Sequence, residues 1–354
     1  MIDILYYPDD ITLLYSFFPL LTGRRRKEFR FENDPERMLR KRGSTVILFR
    51  FYKRLDGKFD PAGYIARLRE HFDRIVYFDD TADPREINSQ LIGLVDNYYK
   101  KQLLRDRSAY ARDVYGKRVF AEYYHERHGV SDSNPAIAPA LAGKDIEKLR
   151  LSWNLGIGSY PKSRIRKAAA LRLSAARMEQ FLRYLYACPV TGRTDIDRMP
   201  KASARFGSSF DRETVAMHRT LFVEETRKRP DLFLTGRIPL KEYNRELKTA
   251  AATVSPFGWG EICFRDFEAI INRSVLLKPS MEHIETWPDI YRPDETYVPL
   301  DWDARDLVEL TESVLADGAL RKRLTERAFE VYTESFVSLP VRLDGFLSAI
   351  GGSV

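Results

Sequence analysis

The stretch SPFGWGEICFRDFEAI, Ser255 to Ile270, joins a tight glycine-bearing loop to an apolar helix that carries acidic side chains. Upstream, ATVSPF reads as a strand, and downstream SVLLKP reads as the next one. Strand, loop, helix and strand in that order form the unit of a parallel sheet. The spacing predicts a helix that starts near Glu261. The first N–H groups of such a helix lack intrahelical partners and carry the positive end of its dipole. Gly258 and Gly260 let the chain turn tightly and bring amides up to an anion, as a diphosphate requires. Glu268 follows Glu261 by seven residues, close to two helical turns, so the two carboxylates are expected on one face. A carboxylate there accepts two hydrogen bonds from vicinal hydroxyls, the way acidic residues grip ribose.

The same alternation extends outward. SARFGSS (Ser203–Ser209) reads as a strand running into a glycine turn, and RETVAMHRTLFVEETRK (Arg212–Lys228) as a helix. DLFLTGRI is a strand, LKEYNRELKTA a helix, TYVPLDW a strand or turn, and ARDLVELTESVLA and RKRLTERAFEVYTESF are helices. In the first half, Ile2–Tyr7, Thr45–Phe51 and Arg74–Asp80 read as strands and Pro61–Phe72 as a helix. Ile87–Asp106 continues with helical spacing, and LRLSWNLGIG (Leu149–Gly158) is one more strand ending in a glycine loop. Ser163–Tyr186 is the longest helical signal, with Ser163 as its N-cap, and periodicity breaks near residue 190. The expected class is α/β, with doubly wound parallel sheets whose ligands bind beyond the carboxyl ends of the strands.

At 354 residues the chain suits two domains. No stretch approaches the roughly 20 uninterrupted apolar residues of a membrane span. The N-terminus lacks the basic-then-apolar layout of a signal peptide. Cys188 and Cys263 are the only cysteines, which gives no disulfide framework and points to a reducing cytoplasm. The net charge of +7 is concentrated in Arg24–Lys27, Arg40–Arg42 and the Ser163–Tyr186 segment. Such runs suit nucleic acid, an anionic membrane face or phosphorylated substrates. The chain carries no recognisable nucleic-acid-binding module, so no nucleic-acid partner is expected. Arg164, Arg166, Arg172, Arg177 and Arg183 scatter round their helix, unlike the segregated face of a membrane-surface helix. Peripheral contact with an anionic membrane face stays open.

Thr235–Pro279 resembles the donor-binding half of a GT-B glycosyltransferase. Gly236 and Arg237, Tyr243, Pro256–Gly258, Phe267–Ala269 and Ser274–Leu277 match in order, and the likeness runs from Ser203 to about Phe336. GWGE is similar to exostosin-like members of that fold. The commonest type places seven residues between its two glutamates, and here six stand between Glu261 and Glu268. Asn272 and Arg273 replace the usual turn glycine, with Asn272 the expected C-cap. The resemblance implies two Rossmann-like domains facing each other across a cleft. Residues 1–190 would form the acceptor side, 191–336 the donor-binding domain, and 337–354 a helix crossing back. It implies a nucleotide-diphosphate sugar as co-substrate and a glycan or lipid-linked acceptor, with no metal and no other cofactor. Arg205, Arg237, Gly258, Trp259, Gly260, Glu268, Lys278 and His283 would bind the donor, and Glu261 and Arg265 would stand at the reaction centre. A nucleotide-sugar epimerase on the same fold is one alternative, and a basic nucleic-acid-binding protein is the other.

Other constellations read as structural. Asp301 and Asp303 precede a helix and are expected to cap it, and the Asp195–Asp197 pair falls in the expected linker. His218 is expected to be a packed or surface residue. Asp79, Asp80 and Asp96 are candidates for a base on the acceptor side. Pro340 is expected to break the chain after a helix ending near Phe336. Beyond it Val341, Leu343, Phe346, Leu347 and Ile350 recur at helical spacing and predict an apolar stripe against the first domain.

Overall fold

The computed structural model of the chain describes residues 1–54, 60–159, 163–187 and 197–351. The expected boundary near residue 190, Cys188 and Asp195 lie outside them. The first half contains β1 Ile2–Tyr6, β2 Phe29–Glu32, β3 Gly43–Phe49, β4 Phe72–Asp79 and β5 Asn97–Lys100. Short strands β6 Gln102–Leu104, β7 Val114–Tyr115 and β8 Ile137–Ala138 follow, then β9 Leu149–Leu151. The second half contains β10 Met199–Ser203, β11 Phe233–Leu234, β12 Ala250–Val254, β13 Val275–Pro279, β14 Ile284–Thr286 and β15 Val298–Leu300.

Two sheets result, ordered β2-β1-β3-β4-β5-β9 and β11-β10-β12-β13-β15. Every pairing within both is parallel. Each sheet starts one strand in from an edge and winds outward in both directions. Strand order therefore reverses beside its first strand, and a crevice opens there at the carboxyl ends. Central strands β1, β12 and β13 are buried throughout, which explains their continuous apolar runs.

Ile87–Asp106 departs from expectation. Only Ser89–Ile92 is helical, and Asn97–Leu104 is β5 and β6. Residues 98–104 of NYYKKQLL are buried on both faces although half of the run is polar, so neither its composition nor its spacing separates it from a helix. The basic segment also departs. Ser163 caps Arg164–Ala175, but Arg177 adopts a left-handed φ of 57° and the chain resumes as a 3₁₀ turn, Glu179–Tyr184.

The halves are tied together by their own backbone. β6 follows the first sheet, β14 follows the second, and the two pair antiparallel with Leu104 opposite Ile284. Asn154 Nδ2 donates to Thr286 Oγ1 at 2.9 Å and to the Pro288 carbonyl at 3.0 Å. The buried His218 ring bridges Tyr124 Oη at 2.8 Å and the Phe257 amide at 2.8 Å. Asp303 does not cap the next helix: Asp306 holds that position, and Asp303 takes Tyr123, Arg127 and His128 of the first half.

The last helix runs unbroken from Gly318 to Gly351 with Pro340 inside it. Leu343, Phe346, Leu347 and Ile350 are buried while Val341 is 74% exposed. Val341 thus falls off the expected stripe, and Pro340 does not end the helix. Its final turns lie on the first sheet. Phe346 meets Tyr99, Trp153 and Phe78, and the Ile350 carbonyl accepts from Thr45 Oγ1 at 3.0 Å.

Candidate functional site

The crevice of the second sheet opens where its strand order reverses, past the ends of β10, β11 and β12. A cleft of about 690 Å³ lies there. Arg205, Phe206 and Gly207 enter it after β10, Gly236 and Arg237 after β11, and Cys263, Phe264, Arg265 and Glu268 after β12. Arg219 and Tyr243 complete its walls from two helices, Glu213–Lys228 and Leu240–Thr249.

The helix behind the opening motif is Phe264–Ile271, with Cys263 at its N-cap. It starts three residues later than expected, so Glu261 lies outside it and the two glutamates do not share a helical face. Asp266 explains the shift. Its carboxylate accepts from the Cys263 amide at 2.9 Å and closes a capping box. Asn272 is the C-cap as expected, at φ −91°, and the left-handed conformation falls on the next residue, Arg273, at φ 56°.

The charges in the cleft are unequally satisfied. Arg205 is held by Glu246 through both Nε and Nη2, so much of its charge is already met. Arg219 is only 9% exposed, and its Nε and Nη1 meet no hydrogen-bond partner. Burial pulls its guanidinium down to about 10, against the pull of Cys263. Arg265 Nη2 donates to the Arg205 carbonyl at 3.0 Å while its buried Nε is likewise unpartnered. Buried donors left without acceptors are costly, and the two side chains that carry them line an open cleft. Glu268 is half-buried and accepts from Tyr243 Oη at 3.0 Å. Behind Phe264 the buried Tyr15 of the first half packs with its ring 4.9 Å away.

The remaining candidates stand elsewhere. Lys278 is fully buried and pairs with Asp266 at 3.1 Å. Trp259 is 45% exposed, under Arg118 and beside Phe210. Gly258 and Gly260 do not line the cleft, and the Gly258 amide donates to the Gly260 carbonyl at 3.0 Å. A Cβ on Gly260 would lie 1.9 Å from the Ala82 carbonyl oxygen, so this glycine permits close approach of the two halves. Gly260→Ala should therefore cost about 2 kcal/mol or more by overpacking, read as a lower urea midpoint. Gly258→Ala, whose Cβ would find nothing nearer than 3.9 Å, should leave the midpoint in place.

Glu261 and His283 meet at the same seam. Glu261 is fully buried with both oxygens unpartnered, and His283 Nε2 lies 3.6 Å away. Burial pushes the carboxyl up to about 7, with Arg118, Lys278 and Lys100 opposing, and pushes the imidazole down to about 4, with Asp83 opposing. Both shifts favour the uncharged forms of the pair.

The acceptor-side acids are engaged. Asp79 takes Tyr98 and Lys100, Asp80 takes Thr12, Ser16 and Arg50, and Asp96 takes Arg69 and the Ile75 amide. Arg219 escapes a reading of the chain, although a cation between Val215 and Phe222 on an apolar face was its one visible signal. Among the described residues no group of three or more His, Cys, Asp or Glu side chains is placed to hold a metal ion.

No known protein family matches the chain, and no curated protein does. Solved structures do. A glycosyltransferase from Rickettsia africae is 8% identical over 100% of this chain and 99% of its own, with a TM-score of 0.47. HepE from Anabaena, solved with UDP, is 8% identical over 98% of this chain and 99% of its own, with a TM-score of 0.44. The GtfA/B complex is 8% identical over 89% of this chain and 59% of its own, at 0.46; the chain thus spans little more than half of that protein. Similarity this distant does not reach the reaction. Two parallel doubly wound sheets, a switch-point cleft on the second and a last helix returning to the first have the architecture of the GT-B glycosyltransferase fold.

Proposed function

We propose that the protein is a glycosyltransferase that takes a sugar from a nucleotide-diphosphate donor held in the switch-point cleft. The acceptor, a glycan or a lipid-linked saccharide, approaches from the first half. The observation that carries this reading is the pairing of two kinds of group in one cleft. Arg219 and Arg265 offer buried, unpartnered guanidinium N–H groups to a diphosphate. Glu268 offers a carboxylate to the ribose hydroxyls, braced by Tyr243. Fixed cations of this kind stabilise the charge that grows on the departing diphosphate, and so the transfer needs no metal ion. Arg237, exposed at the mouth, adds to the same field. Arg205, pinned by Glu246, positions the Arg265 guanidinium through its carbonyl. Sparse cysteine usage supports a reducing, cytoplasmic setting for the reaction.

Calorimetry with UDP in the presence of EDTA tests it. The wild type should bind, and Glu268→Ala should bind roughly tenfold to a hundredfold more weakly, the worth of hydrogen bonds to a charged group. Unchanged affinity in the variant, or no binding of UDP, GDP or TDP by the wild type, overturns the reading.

A further inference from the structure

Two of the basic runs, Arg24–Lys27 and the one that starts at Ser163, come together away from the cleft. A second cavity, about 390 Å³, lies on the first domain beside edge strand β2. Arg26, Lys27 and Arg30 line one side; Arg177 and Arg183 line the other, with Glu179 between. Five cations face one acid, and that acid is occupied, since Glu179 accepts from Tyr6 Oη at 2.6 Å. Arg30 and Arg177 have partners in Asp3, Glu32 and Asp34, whereas Arg26 and Lys27 show none. The break at Arg177 creates this arrangement. It turns the 3₁₀ segment so that Arg177, Glu179, Gln180 and Arg183 face the cavity, while Met178, Phe181 and Tyr184 are exposed, Tyr184 at 68%. Ile165 and Leu171 extend this apolar exposure along the preceding helix.

We infer that this cavity takes the phosphate of an anionic phospholipid while Met178, Phe181 and Tyr184 enter the interfacial layer of the membrane. Phosphate chemistry accounts for the cations, since guanidinium forks match its oxygens. The apolar and aromatic side chains select the lipid over a soluble phosphate ester, because a tyrosine and a phenylalanine at a wet surface gain from the interface and gain nothing from a free ion. Arginines that scatter round a single ideal helix do not need to form one stripe, because the break and strand β2 assemble the face from two segments.

The test is flotation of the full chain with vesicles. It should bind phosphatidylcholine vesicles in which one third of the lipid is phosphatidylglycerol, and not vesicles of phosphatidylcholine alone. Arg26→Ala with Lys27→Ala should weaken binding about 25-fold, at about fivefold for each cation near an anionic surface. Phe181→Ala with Tyr184→Ala should weaken it without changing its salt dependence. Equal binding of the wild type and the Arg26/Lys27 variant to anionic vesicles overturns the inference. Full displacement from vesicles by millimolar glycerol phosphate at constant ionic strength also overturns it, since the ligand would then be a soluble phosphate ester. UDP calorimetry on the same variants reads the other cleft alone, so the two proposals fail separately.

Discussion

A chain ending at Leu339 will not reach a cooperative native state, and Phe346→Ala in the full chain will lose about 4 kcal/mol. The final turns of the long helix carry Leu343, Phe346, Leu347 and Ile350, all buried. Each such side chain is worth about 2–5 kcal/mol when its contacts are removed. Four of them together rival the whole 5–15 kcal/mol by which a typical domain is stable. The loss falls on the first sheet. Phe346 closes an aromatic cluster with Tyr99 at 4.8 Å, Trp153 at 5.2 Å and Phe78 at 6.3 Å. Thr45 of β3 also loses the Ile350 carbonyl as acceptor. Thermal unfolding and limited proteolysis check the outcome. Val341→Asp is the control, because Val341 on the same helix is exposed and its replacement should change little. A shortened chain that melts at the wild-type temperature would show that the helix end only covers a domain already complete.

The parallel sheets were legible because their signal is local. Runs such as TVILF and AAATV alternate with amphipathic helices, and each run is long enough to be buried on both faces. Asn97–Leu104 was misread for the same reason: a buried strand and a buried helix share one composition, and only the neighbours decide. Arg265 and Glu268 could be named because they sit in the motif itself. Arg219 could not, because its place depends on how the Glu213–Lys228 helix packs against a loop some forty residues later. The glycine loop shows the limit from the other side. Its tightness is visible in the chain, yet what it accommodates is the Ala82 carbonyl of the other half, a tertiary fact that no local pattern holds.

Glu261→Gln should make the protein more stable at pH 8 by on the order of 3 kcal/mol and leave it nearly unchanged at pH 5. Glu261 enters the seam between the halves with no hydrogen-bond partner for either oxygen, and Asp83 of the first half faces it there. Burial is the main cause that pushes its carboxyl from 4.5 up to about 7; Arg118, Lys278 and Lys100 pull the other way and lose. Asp83 is raised too, by burial first and by Glu261 second. An acid whose affinity for protons is higher in the folded state favours folding while protonated. Its contribution is complete below 4.5 and is lost as pH rises through about 7. At 1.36 kcal/mol for each tenfold change, the loss is on the order of 3 kcal/mol by pH 8. His283 slopes the opposite way. Its folded form gives up the proton near 4, against an ordinary 6.5, so it adds stability as pH rises between those values. The two slopes oppose each other below about 6.5, and the fall due to Glu261 stands alone above it. Glutamine keeps the shape of the protonated acid and cannot ionise, so the variant should lack that fall while keeping the rise from His283. Urea unfolding of both proteins across pH 5 to 8 reads the difference directly. Parallel curves would mean that Glu261 is already ionised at pH 5 and held by Arg118 and the nearby lysines, and the seam would then be an ordinary buried ion cluster.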